Sequence, residues 1–148
     1  MMHFVVEGVS AKIVEQDAGF GGQSRPRREA FTQRQGTRCQ AGIIAVDLDD
    51  GDFLIGAAVT DGAHDVMLFS DAAKAVRFDE EDVRPMGRQA RGVRGMMLEP
   101  DQRLIAMLVA EDETQSVLTA TENGYGKRTN ITEYTRHGRG TKGMIAIQ

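Results

Sequence analysis

The sequence contains a single cysteine and no apolar stretch long enough to cross a membrane. One cysteine excludes an internal disulfide, gives no cluster of metal ligands and suits a reducing compartment. The first sixteen residues, MMHFVVEGVSAKIVEQ, lack the basic start and the small-residue cleavage site of a secretory signal. These absences predict a soluble, cytoplasmic protein.

Positive charge is not in excess either. The chain of 148 residues has 18 Lys and Arg against 22 Asp and Glu, a net charge of -4, so the chain as a whole is no candidate for nucleic-acid binding. The charge is segregated, however. Acidic side chains dominate residues 47–82, whereas Lys and Arg dominate residues 84–94 and 127–142. A basic surface must therefore come from local clustering in these segments.

Recognisable catalytic constellations are missing as well. His3, His64 and His137 lie far apart in sequence, without a Ser, Cys or carboxylate at nucleophile or metal spacing. The acidic segments DLDDGD (47–52) and FDEEDV (78–83) are typical of solvated turns and loops, since the first departs from calcium-loop spacing and the second has no accompanying nucleophile. We predict no catalytic residue, no metal site and no cofactor, so that the chain alone is inactive as an enzyme.

Short apolar segments separated by turn dipeptides make up most of the chain after residue 41. Asp50-Gly51, Asp61-Gly62 and Asn123-Gly124 are dipeptides that supply the positive φ of tight turns. Segments rich in Val, Ile, Leu and Met lie between them and predict an all-β fold of short antiparallel strands. The predicted strands are residues 42–46, 53–59, 65–69, 74–78, 95–98, 103–109, 116–121, 126–131 and 143–147, with a further strand or hairpin within residues 3–16.

The chain also repeats itself at an offset of about 51 residues. Arg77 falls on Arg128, and after a short gap ARGVRGM (90–96) falls on GRGTKGM (138–144). Units of about fifty residues with four short strands are typical of propeller blades, but a propeller normally needs roughly four to eight blades to close. The repeat therefore predicts a propeller-like fold with an incomplete ring.

The repeat divides the chain into three parts. Residues 41–94 form one predicted blade and residues 95–148 another. Residues 1–40 lie outside the repeat, and their content of Arg, Gln and Gly with few apolar residues predicts a poorly ordered or loosely attached segment.

The repeated motif, Arg-Gly-x-(Lys/Arg)-Gly, has two interpretations. Glycines permit close approach and exposed N–H groups while the cations neutralise phosphates, which suits contact with a nucleic-acid backbone without reading its sequence. Alternatively, the glycines supply only the backbone conformations of a turn between blades, and the cations are solvated. The two interpretations are compatible.

Three segments resemble the C-terminal domain of the DNA gyrase A subunit. They are residues 42–78, MGRQARGVRGMML (86–98) and TATENGYGKRTNITEYTRHGRGTKGMIAI (119–147). The similarity runs from Gly42 to Ile147, and ENGYGKRT and GRQARGVRG are specific to that family.

The resemblance implies a β-pinwheel, a propeller-like disc of about six blades whose basic rim bends and wraps double-stranded DNA. It further implies that the chain is two consecutive blades of a type II topoisomerase, with the gyrase A and B subunits as partners. The residues that would face the rim and contact the DNA backbone are Arg88, Arg91, Arg94, Lys127, Arg128, Arg139 and Lys142.

The chain also departs from the family. The domain with the catalytic tyrosine has no counterpart, and Tyr125 and Tyr134 match no nucleophile motif. The defining box Gln-Arg-Arg-Gly-Gly-Lys-Gly of the first blade is missing, although GRGTKG (138–143) resembles a degenerate copy of it. A C-terminal fragment of the topoisomerase IV A subunit, which is related to the gyrase A subunit, is therefore an alternative. A module that binds proteins through open sheet edges, or a gene fragment without function, are others.

Overall fold

The computed structural model describes residues 2–7, 12–17, 48–86 and 91–147, and these residues form short strands joined by turns. The strands are β1 (Met2–Glu7), β2 (Lys12–Asp17), β3 (Leu54–Thr60), β4 (Asp65–Ser70), β5 (Lys74–Asp79), β6 (Val93–Arg94), β7 (Leu104–Ala110), β8 (Ser116–Ala120), β9 (Gly126–Asn130) and β10 (Met144–Ile145). Single 3₁₀ turns, Glu80–Asp82 and Ile131–Glu133, follow β5 and β9. None of the helical turns in this part of the chain has the length and apolar content of a membrane span. The all-β prediction is confirmed.

The strands form two four-stranded sheets and one hairpin. The first sheet has the order β3-β1-β2-β6, the second sheet has the order β10-β5-β4-β7, and β8 pairs with β9. The β4–β5 hairpin sets Met67 opposite Arg77, and the β8–β9 hairpin sets Leu118 opposite Arg128. The repeat found in the sequence is therefore a repeat of hairpins with the same register.

Each four-stranded sheet combines a central hairpin with edge strands that come later in the chain. In the second sheet β4 and β5 belong to the predicted blade 41–94, whereas β7 and β10 belong to the predicted blade 95–148. β7 pairs along β4, and the two-residue β10 pairs with β5. The predicted blades are thus repeats of sequence, and the second sheet crosses the boundary between them.

The N-terminal strands belong to the first sheet. β1 pairs with β2 from Met2 opposite Asp17 to Val6 opposite Ile13, and also with β3. The hairpin predicted within residues 3–16 is therefore present. The expectation of a loosely attached N-terminal segment does not hold for β1 and β2, because both strands pair with neighbours in a sheet. Residues 18–47, which include the predicted strand 42–46, lie outside the described residues.

Two apolar cores lie on opposite faces of the β4–β5 hairpin. Successive side chains of a strand point to opposite faces, so Val66 and Leu68 face the first sheet and Met67 and Phe69 face β8–β9. Every residue of β4 is buried in consequence. The first core contains Val66, Leu68, Val76, Phe78, Val83, Met96 and Leu104. The second core contains Met67, Phe69, Ala75, Ala110, Val117, Ile131, Tyr134 and Ala146.

The turn glycines have the predicted conformation. Gly51, Gly62 and Gly124 have φ values of 83°, 102° and 82°. Gly124 closes the β8–β9 hairpin, where its N–H donates to the oxygen of Thr121 at 2.9 Å. The corresponding position of the β4–β5 turn is Ala73, which has a φ of 57° without being glycine.

Two predicted strands near the repeated motifs are wrong in extent. Residues 95–98 form no strand; the short β6 precedes them, and Met96 makes only an isolated bridge to Thr141. The predicted strand 143–147 is reduced to Met144–Ile145. In both places the apolar pattern comes from core packing, since Met96 and Ala146 are buried in the two cores.

Candidate nucleic-acid interface

The two copies of the repeated motif lie against each other. We call residues 91–96 the first junction and residues 138–144 the second junction. The N–H of Gly140 donates to the oxygen of Gly95 at 2.7 Å, and the N–H of Met97 donates to the oxygen of Thr141 at 2.9 Å. Backbone hydrogen bonds therefore join two segments that are more than forty residues apart.

Three glycines of the two junctions have the positive φ that permits this arrangement. Gly92 and Gly140 hold the same position in the two motifs, and their φ values are 72° and 77°. Gly143 has a φ of 74°, and a Cβ built there would lie 2.6 Å from the backbone oxygen of Ala75 in β5. The glycines thus have the structural role that one interpretation of the motif assigned to them.

The cations of the second junction have partners in the protein. Arg139 donates through Nε to the backbone oxygen of Asp82 at 2.9 Å and through Nη1 to that of Arg94 at 3.5 Å. Lys142 forms an ion pair with Glu99 at 2.7 Å, although its side chain is 62% exposed. Both cations therefore reach back to the segment around the first junction while staying at the surface.

The cations of the first junction are more open. Arg91 is 77% exposed, and its closest carboxylate is Asp49 at 3.9 Å. Arg94 is exposed and has no side-chain partner among the residues that the structure describes. Because Arg139 bonds to its backbone oxygen, Arg94 lies directly beside the second junction.

Three predicted site residues are not part of this contact. Lys127 and Arg128 are adjacent on β9, so their side chains point to opposite faces of the hairpin, and both are exposed. Arg88 lies outside the described residues. The structure therefore joins the backbone segments that carry Arg91, Arg94, Arg139 and Lys142, and leaves Lys127 and Arg128 on a separate element.

A buried charge network was missed from the sequence. Arg77 is 5% exposed and bonds through Nε to the carboxylate of Asp65, which is 4% exposed. Its Nη1 donates to the backbone oxygens of Ile131 at 2.9 Å and Tyr134 at 3.3 Å. Arg136 reaches the same Asp65 carboxylate at 2.9 Å. The position of Arg77 in the middle of the apolar strand KAVRF was the available signal, because an isolated charge in a buried strand needs a partner.

The ion pairs of Arg136 and of Lys142 with Glu99 shift the pKa of each of these groups in the direction that favours its charged form. The hydrogen bond and charge of Asp65 raise the pKa of Arg136. The hydrogen bond and charge of Lys142 hold the pKa of Glu99 below its ordinary value, and Glu99 in turn raises the pKa of Lys142. Arg136, Glu99 and Lys142 are therefore charged at neutral pH.

The family pattern described as "DNA gyrase C-terminal domain, beta-propeller" matches residues 38–61, 64–111 and 115–148. These ranges cover well over half of the chain. The chain belongs to this family. The junctions described above are therefore elements of a DNA gyrase C-terminal domain, which confirms the resemblance stated from the sequence.

Curated relatives agree with the family. The DNA gyrase A subunit of Pseudomonas aeruginosa is 46% identical over 150 residues, an alignment that covers 96% of this chain and 16% of that protein. The DNA gyrase A subunit of Salmonella typhimurium is 48% identical over 122 residues, which cover 82% of this chain and 14% of that protein. The first alignment extends well into residues 1–40, which precede the range of the resemblance stated from the sequence. The chain thus spans about a sixth of these relatives.

Solved structures agree with the fold. A structure of the DNA gyrase A C-terminal domain has 25% sequence identity and a TM-score of 0.74, and the match covers 97% of this chain and 42% of that one. The C-terminal domain of DNA topoisomerase IV has a TM-score of 0.77 at 20% identity, with 97% and 40% covered. Both solved structures share the fold of this chain, which corresponds to about two fifths of each.

Proposed function

We propose that the chain is a non-catalytic module of a gyrase A subunit that binds and wraps DNA. It binds the duplex through phosphate contacts and without sequence preference. Membership of the gyrase C-terminal family supports the gyrase assignment over topoisomerase IV, since the curated relatives named above are gyrase A subunits. In the complete enzyme, which combines A and B subunits, the module acts in the cytoplasm in negative supercoiling.

The observation that carries the proposal is the contact between the two junctions. The hydrogen bonds of Gly140 to Gly95 and of Met97 to Thr141 join the two backbone segments that carry four exposed cationic residues, which supports a shared cationic surface. A chain with a net charge of -4 gains affinity for DNA only where cations are concentrated in this way. The four cations are Arg91, Arg94, Arg139 and Lys142.

The four cations contribute unequally. Arg91 and Arg94 are exposed and weakly engaged, so their guanidinium groups are free to turn toward phosphates. Arg139 fixes the junctions to each other through backbone oxygens, which makes it a positioning residue as well as a surface cation. Lys142 contacts a phosphate only if its ammonium group leaves the Glu99 carboxylate or bridges the carboxylate and the phosphate. Lys127, on β9, is an exposed cation on a separate element and is proposed as an additional phosphate contact.

The salt dependence of binding tests this proposal. For duplex DNA the slope of log K against log salt is about -0.9 per neutralised phosphate. We expect the variant Arg91→Gln with Arg94→Gln to bind a random-sequence duplex more weakly and to reduce the slope by about two contacts. Arg103→Gln is the matched control, because Arg103 is exposed and lies outside both junctions. Binding that is insensitive to salt, or an equal loss in the control, contradicts the proposal.

A further inference from the structure

The tip of the β8–β9 hairpin carries an exposed aromatic side chain. Tyr125 is 75% exposed, the largest exposed fraction of any large apolar or aromatic side chain within the described residues. The sequence has one other tyrosine, Tyr134, which is buried in the second core with its ring edge against Phe69. Core packing therefore accounts for Tyr134 and leaves Tyr125 without a structural reason to be aromatic.

Backbone hydrogen bonds hold Tyr125 in place. The turn before it is closed by Gly124, whose φ is 82°. The N–H of Thr121 donates to the oxygen of Tyr125 at 2.8 Å, and the N–H of Tyr125 donates to Oγ1 of Thr121 at 3.2 Å. Because the backbone is fixed and a tyrosine side chain has only two rotatable angles, a contact made through this ring costs little conformational entropy.

Tyr125 shares one face of the hairpin with a cation. The pairing of Thr121 with Tyr125 continues the β8–β9 register, and side chains two residues apart along a strand lie on the same face. Lys127 is therefore the neighbour of Tyr125 on this face, and Thr129, the next along, points into the protein and is buried. Lys127 is exposed and has no carboxylate partner in the described part of the chain. A phenol and an unpaired ammonium group thus lie on the same face at the tip.

The equivalent position of the β4–β5 hairpin lies beside the second junction. The repeat matches Tyr125 to Lys74, which lies opposite Ile145 of β10, the strand in which the second junction ends. Lys74 is also close enough to Glu99 that its charge, after the larger effects of Lys142, lowers the pKa of that carboxyl. Lys74 stays partly exposed although β10 pairs beside it. The exposure of this position therefore does not require an open strand edge.

We propose that Tyr125 makes a neutral contact with the sugar-phosphate backbone of duplex DNA, an inference that rests on the proposed DNA-binding function. Its phenolic O–H donates to a phosphate oxygen, and its ring packs against the adjoining deoxyribose. Lys127 neutralises a phosphate on the same face. Tyrosine is one of the uncharged side chains that donate to phosphates in protein–DNA complexes. The cation at the matching position, Lys74, suits the same ligand.

A neutral contact and a cationic contact differ in their dependence on salt. Each cation that neutralises a phosphate releases counterions and adds to the slope of log K against log salt. A hydroxyl that donates to a phosphate releases none, so it adds affinity without changing the slope. Tyr125 and Lys127 are therefore distinguishable by one titration series, although they are neighbours on the same face.

Binding of the full chain to a random-sequence duplex at several salt concentrations tests the inference. Tyr125→Phe should weaken binding by about three- to tenfold at every salt concentration, with an unchanged slope, because one hydrogen bond is lost. Tyr125→Ala should weaken it further, since the ring contact is lost as well. Lys127→Gln should reduce the slope by about one contact. Leu118→Ala is the matched control, because Leu118 is 73% exposed and lies on the opposite face of the same hairpin, and it should bind as the unsubstituted chain does.

Three results overturn the inference, and they separate it from the proposed function. If Arg91→Gln with Arg94→Gln weakens binding but Tyr125→Ala does not, the DNA-binding function stands and Tyr125 is outside the interface. If the unsubstituted chain does not bind the duplex, both fail. If single-stranded DNA of the same length binds more tightly than the duplex, and Tyr125→Phe keeps that binding while Tyr125→Ala loses it, the ring stacks on bases and makes no phosphate contact.

Discussion

Arg77 of β5 and Asp65 of β4 form an ion pair in which neither side chain is more than 5% exposed. Arg77 also donates to the backbone oxygens of Ile131 and Tyr134, so the pair ties the second sheet to the hairpin that follows it. Arg136 adds a second cation to the same carboxylate at 2.9 Å. At Ile131 and Tyr134 the second core is therefore joined to β5 by polar bonds in addition to apolar packing.

The network predicts that replacing arginine by methionine costs much more stability at position 77 than at its repeat counterpart, position 128. Arg77→Met leaves backbone acceptors and part of a buried carboxylate unpaired, so we expect a loss of about 3 kcal/mol in the free energy of unfolding. Arg128→Met, at an exposed position, should change it by less than about 0.5 kcal/mol. Urea denaturation of both variants measures the two values. Similar values for the two variants would contradict a structural role for the buried arginine.

Gly143 predicts a second comparison between matched sites. Gly143 and Gly124 both have positive φ, but a Cβ at Gly143 would lie 2.6 Å from the oxygen of Ala75, whereas one at Gly124 meets nothing within 4 Å. Gly124→Ala should therefore cost about 1 kcal/mol from backbone strain alone. Gly143→Ala should cost at least about 1 kcal/mol more, because β10 must move away from β5. Thermal or urea unfolding gives the difference, and equal costs would show that the close approach is not required.

The sequence predicted the repeat, the all-β class and most strands because apolar alternation and turn dipeptides are local signals. It did not predict that the second sheet takes β7 and β10 from the following repeat. That exchange depends on which edges meet after the hairpins have formed, and equal spacing in sequence is compatible with either arrangement. The prediction of a strand at residues 95–98 was wrong for a related reason: Met96 is apolar because it packs in the first core, and not because it belongs to a strand.

The candidate site was predicted in part. The two motifs were recognised, and the glycines have the positive φ that a turn requires. Their mutual contact was not visible, because no local pattern reveals that Gly140 bonds to Gly95. The repeat matches Arg77 to Arg128, yet Arg77 is buried and Arg128 is exposed. Only the presence of a following hairpin over one of them produces that difference.

The ion pair of Glu99 and Lys142 predicts a pH dependence of stability. Because the pKa of Glu99 is lowered in the folded state, the stabilisation is present above the unfolded-state pKa of about 4.5 and is lost as pH falls through the lower folded-state pKa. The melting temperature of Lys142→Met should therefore lie slightly below that of the unsubstituted chain at pH 7. The two should converge once the pH falls below the lowered folded-state pKa of Glu99.

Lys127→Met is the control for this measurement, since Lys127 is exposed and has no carboxylate partner within the described residues. Its melting temperature relative to the unsubstituted chain should not change between pH 7 and pH 3. A gap for Lys142→Met that persists at pH 3 would show that the lysine stabilises the fold by packing and not by charge.

The same pair predicts an effect on the proposed DNA contact. Glu99 lies 2.7 Å from Lys142 and competes with a phosphate for the ammonium group. Glu99→Gln should therefore tighten binding to a duplex several-fold and make the salt slope more negative by about one contact. Glu111→Gln, another exposed acid, should show only the small gain from the change in net charge. Unaltered binding in Glu99→Gln would place Lys142 outside the interface.

Glu80 predicts a stabilising substitution. Its side chain is 1% exposed, and neither carboxylate oxygen has a hydrogen-bond partner among the described residues. It begins the first 3₁₀ turn, and its repeat counterpart, which begins the second turn, is the buried Ile131. A buried, unpaired carboxylate costs free energy, whereas an apolar side chain at the same place packs in the core.

We therefore expect Glu80→Ile to raise the free energy of unfolding by about 1 to 3 kcal/mol. Glu80→Gln, which removes the charge and keeps the shape, should give part of that gain. Glu81→Ile, at the exposed neighbour in the same turn, should stay within about 0.5 kcal/mol of the unsubstituted chain. Urea midpoints of the three variants measure the effect. A loss of stability in Glu80→Ile would mean that the carboxylate has a structural role that the apolar side chain cannot fill.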